Sequence, residues 1–210
     1  MMKKGLFLLL VGALLLGSLG CDASDPWTED WNYSGHSYRY TASGGGGYWH
    51  QRTLDGISLS PGNSGATIVP PNISTLGGYR LDALGEWLYF DVYIGEDYDG
   101  VSDAVLDIFF EVNVDNSGGN DTDTVDFQIE YWCKRLGERT NTNATYNVST
   151  TVGKAEQHDL FMATKACTPI GESLVAFRVE LTTITSDVDN IIVNYVRMRY
   201  PTYAPALEVS

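Results

Sequence analysis

The strongest constraint on what this chain can fold into is an apolar/polar alternation with a period of two, which recurs in one run after another. In Trp87–Ile94, Leu88, Phe90, Val92 and Ile94 share one face, and Trp87, Tyr89, Asp91 and Tyr93 the other. Ala104–Val114 sets Leu106, Ile108, Phe110, Val112 and Val114 against Asp107, Glu111 and Asn113. Val125–Cys133 aligns Val125, Phe127, Ile129, Tyr131 and Cys133. Val175, Phe177, Val179 and Leu181 alternate with Arg178, Glu180 and Thr182; Val196, Met198 and Tyr200 oppose Tyr195, Arg197 and Arg199. Successive side chains of a strand point to opposite sides, so these runs predict strands with one face in a core and one toward water. Weaker strands are expected near Tyr48–Leu54, Ile57–Ser60, Ala66–Val69 and Thr145–Val152. Turn-formers separate them, among them Pro61-Gly62-Asn63, Gly77-Gly78, Asp99-Gly100 and Ser117-Gly118-Gly119. Only Ala155–Lys165 is open to a helix. Eight or nine strands predict an all-β protein, an antiparallel β-sandwich of jelly-roll type.

The leading segment has a different character. Met-Met-Lys-Lys, an apolar run over Gly5–Leu16 and the small-residue exit Gly17-Ser-Leu-Gly20 predict a signal peptide over 1–20, with an uncleaved membrane anchor as the alternative. Gly20-Cys21 resembles the end of a bacterial lipobox, which implies lipidation of Cys21. Ser18 and Gly20 equally fit ordinary cleavage. Either route takes the folded part out of the cytoplasm, to the exterior or the cell surface, with the membrane reached only through the lipid or the signal. In such a compartment Cys133 and Cys167 are expected to pair. The bridge would close a loop of about 35 residues, worth roughly 3–4 kcal/mol; two separately buried thiols are the alternative.

Charge excludes one class of partner. The formal net charge is −14, and it becomes more acidic once Lys3 and Lys4 leave with the signal. The basic residues are scattered, so nucleic acid is not an expected ligand. Aromatic content of 12% argues against a disordered chain.

Several phrases occur together: Ala66-Thr-Ile-Val-Pro-Pro71, Thr75-Leu-Gly-Gly-Tyr79, Asn113-Val-Asp-Asn-Ser-Gly-Gly119 with Asp123-Thr-Val-Asp126, and Ser186-Asp-Val-Asp-Asn-Ile-Ile-Val-Asn194. From Ile57 to Tyr200 the chain resembles uncharacterised β-sandwich proteins that recur in tailed-phage and environmental viral genomes. That resemblance implies a sandwich fold and a virion surface or accessory role, with no active residues to carry over. The export signal sets this chain apart from particle proteins assembled in the cytoplasm.

No catalytic set assembles in the sequence. The histidines are His36, His50 and His158, and Gly62-Asn63-Ser64-Gly65 lacks the spacing of a nucleophile elbow. Gly44–Gly47 leads into Tyr-Trp, where a phosphate loop would open a helix. No cofactor is expected beyond calcium. Asn113, Asp115 and Ser117, followed by Asp121 and Asp123, resemble half of an oxygen-rich calcium loop, although Thr124 stands where a bidentate Glu would be. The competing reading is a hairpin turn whose Asn and Asp side chains satisfy local backbone donors. Glu96, Asp97, Asp99 and Asp103 carry the same ambiguity. The sequons at Asn32, Asn72, Asn120, Asn143 and Asn147 serve only as hints of exposure.

Two non-catalytic functions remain. Trp87, Tyr89 and Tyr93 lie outward on one strand and Trp132 on another, which suits stacking on a surface glycan; cover for a second sheet, an oligomer contact or an overlying loop is the more ordinary explanation of such rings. The second reading rests on the segment 21–47, which precedes the single sandwich expected over 48–210. It carries Trp27, Trp31, Tyr33, Tyr38 and Tyr40 ahead of a glycine hinge at Gly44–Gly47. It is expected to act as an arm that docks on a neighbouring copy by strand addition, making the protein a self-associating structural component. Folding back as an edge strand of its own sandwich is the alternative.

Overall fold

The computed structural model of the chain describes residues 31–33, 36–42 and 48–202, apart from 63, 99, 101, 115–121, 154 and 186–187. Twelve strands are found among them: β1 (Trp31–Tyr33), β2 (His36–Ala42), β3 (Tyr48–Asp55), β4 (Thr67–Val69), β5 (Gly78–Leu81), β6 (Trp87–Ile94), β7 (Ala104–Val114), β8 (Thr124–Arg135), β9 (Thr142–Thr151), β10 (Leu160–Cys167), β11 (Ser173–Ile184) and β12 (Val188–Thr202). All pairings are antiparallel. The smaller sheet runs β6-β11-β8-β9; the larger contains β5-β12-β7-β10, with β4 beside β5 and β3-β2-β1 beside β12. Those two four-strand orders are the two sheets of a jelly roll, in which successive strands β5 to β12 mostly cross between layers.

The alternation read from the sequence fills the space between the layers. Leu88, Phe90, Val92 and Ile94 from β6 are buried, as are Phe127, Ile129 and Tyr131 from β8 and Val175, Phe177, Val179 and Leu181 from β11. They face Leu106, Ile108, Phe110 and Val112 of β7 and Val196, Met198 and Tyr200 of β12. Phe110 meets Phe127 edge-on across the layers, with centroids 5.3 Å apart.

One strand organises the larger sheet. β12 pairs with β7 along its length; on its other side it pairs first with β5 and then with β3. The handover falls at Asn194, where the β12–β7 register shifts. Its side-chain amide donates to the Gly77 carbonyl (2.9 Å) and to Glu111 Oε1 (3.0 Å). Gly78 sits against β12 at φ 140°, and a side chain there would collide with the Val193 carbonyl. The Gly77-Gly78 pair is therefore a packing requirement as well as a turn signal.

Four expectations change. Ala155–Lys165 is not a helix: Leu160–Cys167 is β10, paired with β7 from Leu160↔Glu111 to Cys167↔Ala104, because that register buries Ala163 and Cys167. Ile57–Ser60 is largely a 3₁₀ turn (Gly56–Ser58), with Ser60 bridging Tyr89. Asp107 and Glu111, read as a solvated face of β7, are both buried. Asp107 is closed over by Arg197 Nε (2.8 Å), Arg199 Nε (3.0 Å) and the Thr164 hydroxyl (2.9 Å). Glu111 is closed over by the Leu76 amide (2.8 Å), Asn194 and His158 Nδ1 (3.2 Å). Finally, the arm is not separate from the sheet. β2 pairs with β3 from Ser37↔Thr53 to Ala42↔Tyr48, and β1 pairs with β2 from Trp31↔Tyr38 to Tyr33↔His36, so Tyr38 and Tyr40 belong to a strand of their own sandwich. Pairing within the chain supplies the backbone hydrogen bonds that a neighbouring copy was expected to provide. Cys21 and Trp27 lie outside the described residues.

Candidate functional site

The smaller sheet turns its outer face away from the core, and its registers define what that face displays. Across β6, β11 and β8, Tyr93 stands by Leu174 and Lys134, Asp91 by Ala176 and Trp132, Tyr89 by Arg178 and Glu130, and Trp87 by Glu180 and Gln128. β9 completes the rows with Asn143, Thr145 and Asn147. The face thus carries four aromatic rings and a band of hydrogen-bonding groups. All four aromatics singled out in the sequence lie on it, but they are not equivalent.

Trp87 and Tyr89 are half-buried and packed. Their rings meet edge-on at 6.5 Å, and the Arg178 guanidinium lies 5.4 Å above the Trp87 centroid. The turn after Ser60 covers this end: the Ser64 hydroxyl is 2.9 Å from the Trp87 carbonyl, and Gly62, at φ 56°, backs onto the indole. A Cβ at Gly62 would stand 2.9 Å from Trp87 Nε1, so only glycine lets the turn close here. That Nε1 is buried without a hydrogen-bond partner among the described residues. Arg178 also bridges Glu180 (2.8 Å) and Glu130 (3.1 Å), fixing a charged strip across the middle of the sheet.

The other end is open. Tyr93 is 55% exposed and Leu174 53%. A groove of about 760 Å³ runs beside them, walled by Lys134, Arg135, Leu136 and Glu138 of the β8–β9 hairpin. The hairpin is held by Glu138, which accepts the Arg135 amide (2.9 Å), and by Arg135 Nε on the Gly171 carbonyl (2.9 Å). Along the same strands a hollow of about 420 Å³ adjoins Tyr89, Asp91 and Ala176, reaching Arg52, Ser58 and Ser60. Between the two, Ala176 separates Asp91 from Trp132, and its small side chain lowers the floor of the sheet. Leu174 and the hairpin wall were not singled out in the sequence; the phase of β11, with Val175 inward, places Leu174 outward.

Other expected sites fare differently. Cys133 and Cys167, expected to pair, are each buried and stand as free thiols in this structure. Cys133 lies on β8 of the smaller sheet and Cys167 on β10 of the larger. Burial pushes the Cys167 thiol up to about 12 and raises Cys133 as well. Of the calcium residues, Asn113 donates from Nδ2 to Asn190 Oδ1 (2.7 Å) and Asp123 is buried; Asp115, Ser117 and Asp121 lie outside the described residues. No group of three or more metal-ligating His, Cys, Asp or Glu side chains occurs among the described residues. His50 accompanies Tyr200 (2.9 Å) and Asp97 (3.7 Å), while His158 accompanies Glu111. These pairings tie strands and loops together.

No family model matches the sequence, and no curated protein matches it. Among solved structures, the chain is similar to the CBM36-1 domain of a multidomain xylanase from the hindgut metagenome of Trinervitermes trinervoides. Identity is 11% and the TM-score 0.43, over 70% of this chain and 95% of that one. A carbohydrate-binding module CBM36 in complex with calcium and xylotriose matches at 10% identity and TM-score 0.43, over 70% and 98% of the two chains. The catalytic domain of a GH87 alpha-1,3-glucanase in complex with nigerose matches at 13% identity and TM-score 0.41, over 74% of this chain and 28% of its own.

Proposed function

We propose that this chain is an exported, non-catalytic carbohydrate-binding module that holds a neutral polysaccharide on the outer face of the β6-β11-β8-β9 sheet. The observation that carries this reading is the open end of that face, where Tyr93 and Leu174 are each more than half exposed beside a groove, with Trp132 one row away. Aromatic rings offer sugars a flat apolar surface, and the adjoining carboxylates, amides and hydroxyls suit their hydroxyl groups. Asp91, Glu130, Glu180 and Asp126 stand against Arg178 and Lys134 along the sheet, and the groove balances Lys134 and Arg135 with Glu138 and Glu172, so no net positive field recruits uronates or sulfated chains and neutral chains are favoured. Tyr89, Asp91 and Tyr93 span about 13 Å along β6, which matches an extended chain better than a single sugar. Self-association through the arm is not carried into this reading, because β1 and β2 pair onto β3 of their own sheet.

Affinity electrophoresis against a panel of neutral and acidic polysaccharides, followed by calorimetry on the best oligosaccharide, tests the proposal. Tyr93→Ala and Trp132→Ala are each expected to weaken binding about tenfold or more, the loss of roughly one stacked ring. Trp87→Phe, which keeps the packed ring, is expected to leave affinity nearly unchanged. Absence of binding to every neutral polysaccharide, or binding indifferent to both alanine variants, overturns it.

A further inference from the structure

The carboxylates on the outer face of the smaller sheet are not equally engaged. Glu130 and Glu180 are both held by Arg178, at 3.1 and 2.8 Å. Asp91 is exposed, and its carboxylate has no hydrogen-bond or ion-pair partner among the described residues. It borders the hollow of about 420 Å³ that Tyr89, Ala176, Ser58 and Ser60 also line. Both serines are exposed, and their hydroxyls too are unpaired among the described residues. The backbone of Asp91 adds two more polar groups. Tyr89 exchanges hydrogen bonds of 2.7 and 2.9 Å with Ser60, on the side of β6 away from β11. Backbone groups facing one side of a strand recur every second residue, so the amide and carbonyl of Asp91 face that side as well. Among the described residues β11 is the only strand paired with β6, which leaves those two groups free. Opposite Asp91 stands exposed Ala176, whose methyl group keeps the floor low between Asp91 and Trp132.

We infer that this hollow is a diol-selecting subsite: Asp91 accepts two adjacent hydroxyls of one sugar unit, the neighbour of the unit that rests on Tyr93. The inference rests on the proposed glycan-binding role and narrows it from neutral polysaccharides to a linkage class. An ionised carboxylate only accepts hydrogen bonds, and its two oxygens can take one hydroxyl each from neighbouring carbons. The Ser58 and Ser60 hydroxyls and the Asp91 backbone both donate and accept, so the other oxygens of that unit find partners. Tyr93 and Leu174 lie one outward position further along the strands, about 7 Å away, which lets successive units of one chain occupy both places. An added peptide strand is the poorer occupant: with Tyr89 committed to Ser60, too little of the β6 edge remains to extend a sheet. Linkage then follows from sugar chemistry. A 1,4-linked pyranose chain keeps free hydroxyls on carbons two and three of every internal unit. A 1,3-linked chain uses the hydroxyl on carbon three and retains no adjacent pair inside the chain. The subsite therefore favours 1,4-linked neutral chains.

The test is affinity electrophoresis of the full chain in gels of glucomannan, galactomannan and soluble starch, all 1,4-linked, and of laminarin, which is 1,3-linked. The wild type is expected to be retarded by at least one 1,4-linked polymer, and at least about tenfold more weakly by laminarin. Asp91→Ala is expected to weaken the favoured binding about tenfold and to erase the preference over laminarin. Asp91→Asn, which keeps the shape but exchanges one accepting oxygen for a donor, should fall between the two. Ala176→Leu fills the floor and is expected to match Asp91→Ala. Tyr93→Ala, by contrast, should lower affinity while keeping the preference, because a ring face does not read hydroxyl positions. Both subsite positions are exposed, so an unchanged Tm in each variant is expected. Retention by laminarin as strong as by the 1,4-linked polymers, or by none of the latter, overturns the inference and leaves the broader glycan reading standing. So does an Asp91→Ala or Ala176→Leu variant that keeps both affinity and preference. A wild-type chain held by no neutral polysaccharide of any linkage overturns both.

Discussion

Burial of polar side chains is where this molecule departs most from its sequence pattern. Asp107 and Glu111 sit on the polar phase of β7, yet both are closed over by groups from β10, β12 and the loop before β5. A buried carboxylate is tolerated only when its oxygens are paired, and each of these accepts several donors. Removing either partner set would strand a charge. His50 is a case with a pH consequence. Burial lowers its pKa, Asp97 opposes that shift, and Arg52 adds to it. The unfolded chain therefore binds a proton at His50 more readily than the folded one. Stability attributable to His50 is present above the unfolded value of 6.5 and falls as pH drops from there through the lowered folded value. Denaturant melts between pH 5 and 8 are expected to show stability rising toward pH 7, with a shallower rise in His50→Gln. Parallel pH profiles for the two proteins would remove this role.

Among the elements, β12 depends most on its neighbours' backbones. Gly78 has a φ of 140° and no room for a Cβ against Val193, so Gly78→Ala strains the β5–β12 contact twice over. A loss of at least about 2 kcal/mol in urea unfolding is expected. A change within about 0.5 kcal/mol would show that β5 can withdraw without cost. Periodicity marked β6, β7, β8, β11 and β12 because each is amphipathic over eight or more residues. It could not mark β10, whose run Leu-Phe-Met-Ala-Thr-Lys-Ala-Cys mixes both phases, since a sheet edge buries only one side of its core-facing residues. β5 was missed for another reason: four residues are too few to display a period. The arm strands β1 and β2 are polar, and their partner in the sheet is a neighbour in space that no local pattern announces.

On the scale of the whole molecule, the layering encloses both cysteines in the core. Cys133 lies on the smaller sheet and Cys167 on the larger, and burial raises both thiols, Cys167 to about 12, so neither is readily ionised at pH 8. Alkylation of the native protein at pH 8, read by peptide mass, is expected to spare Cys133 and Cys167 until denaturant is added. Prompt modification of Cys167 in the folded protein would contradict that packing. The same layering separates what the chain alone determines from what its fold decides. Alternation of side chains is a local property, so the sequence by itself determined an all-β sandwich, its core-facing residues, and the outward phase of Trp87, Tyr89, Tyr93 and Trp132. Which outward residues remain open is not local. The turn at Gly62 comes down on Trp87 while the hairpin at Gly137 leaves Tyr93 clear, and Arg197 and Arg199 close over Asp107. Only tertiary structure decides these, because exposure of a side chain on a strand depends on segments distant in sequence that happen to cross it.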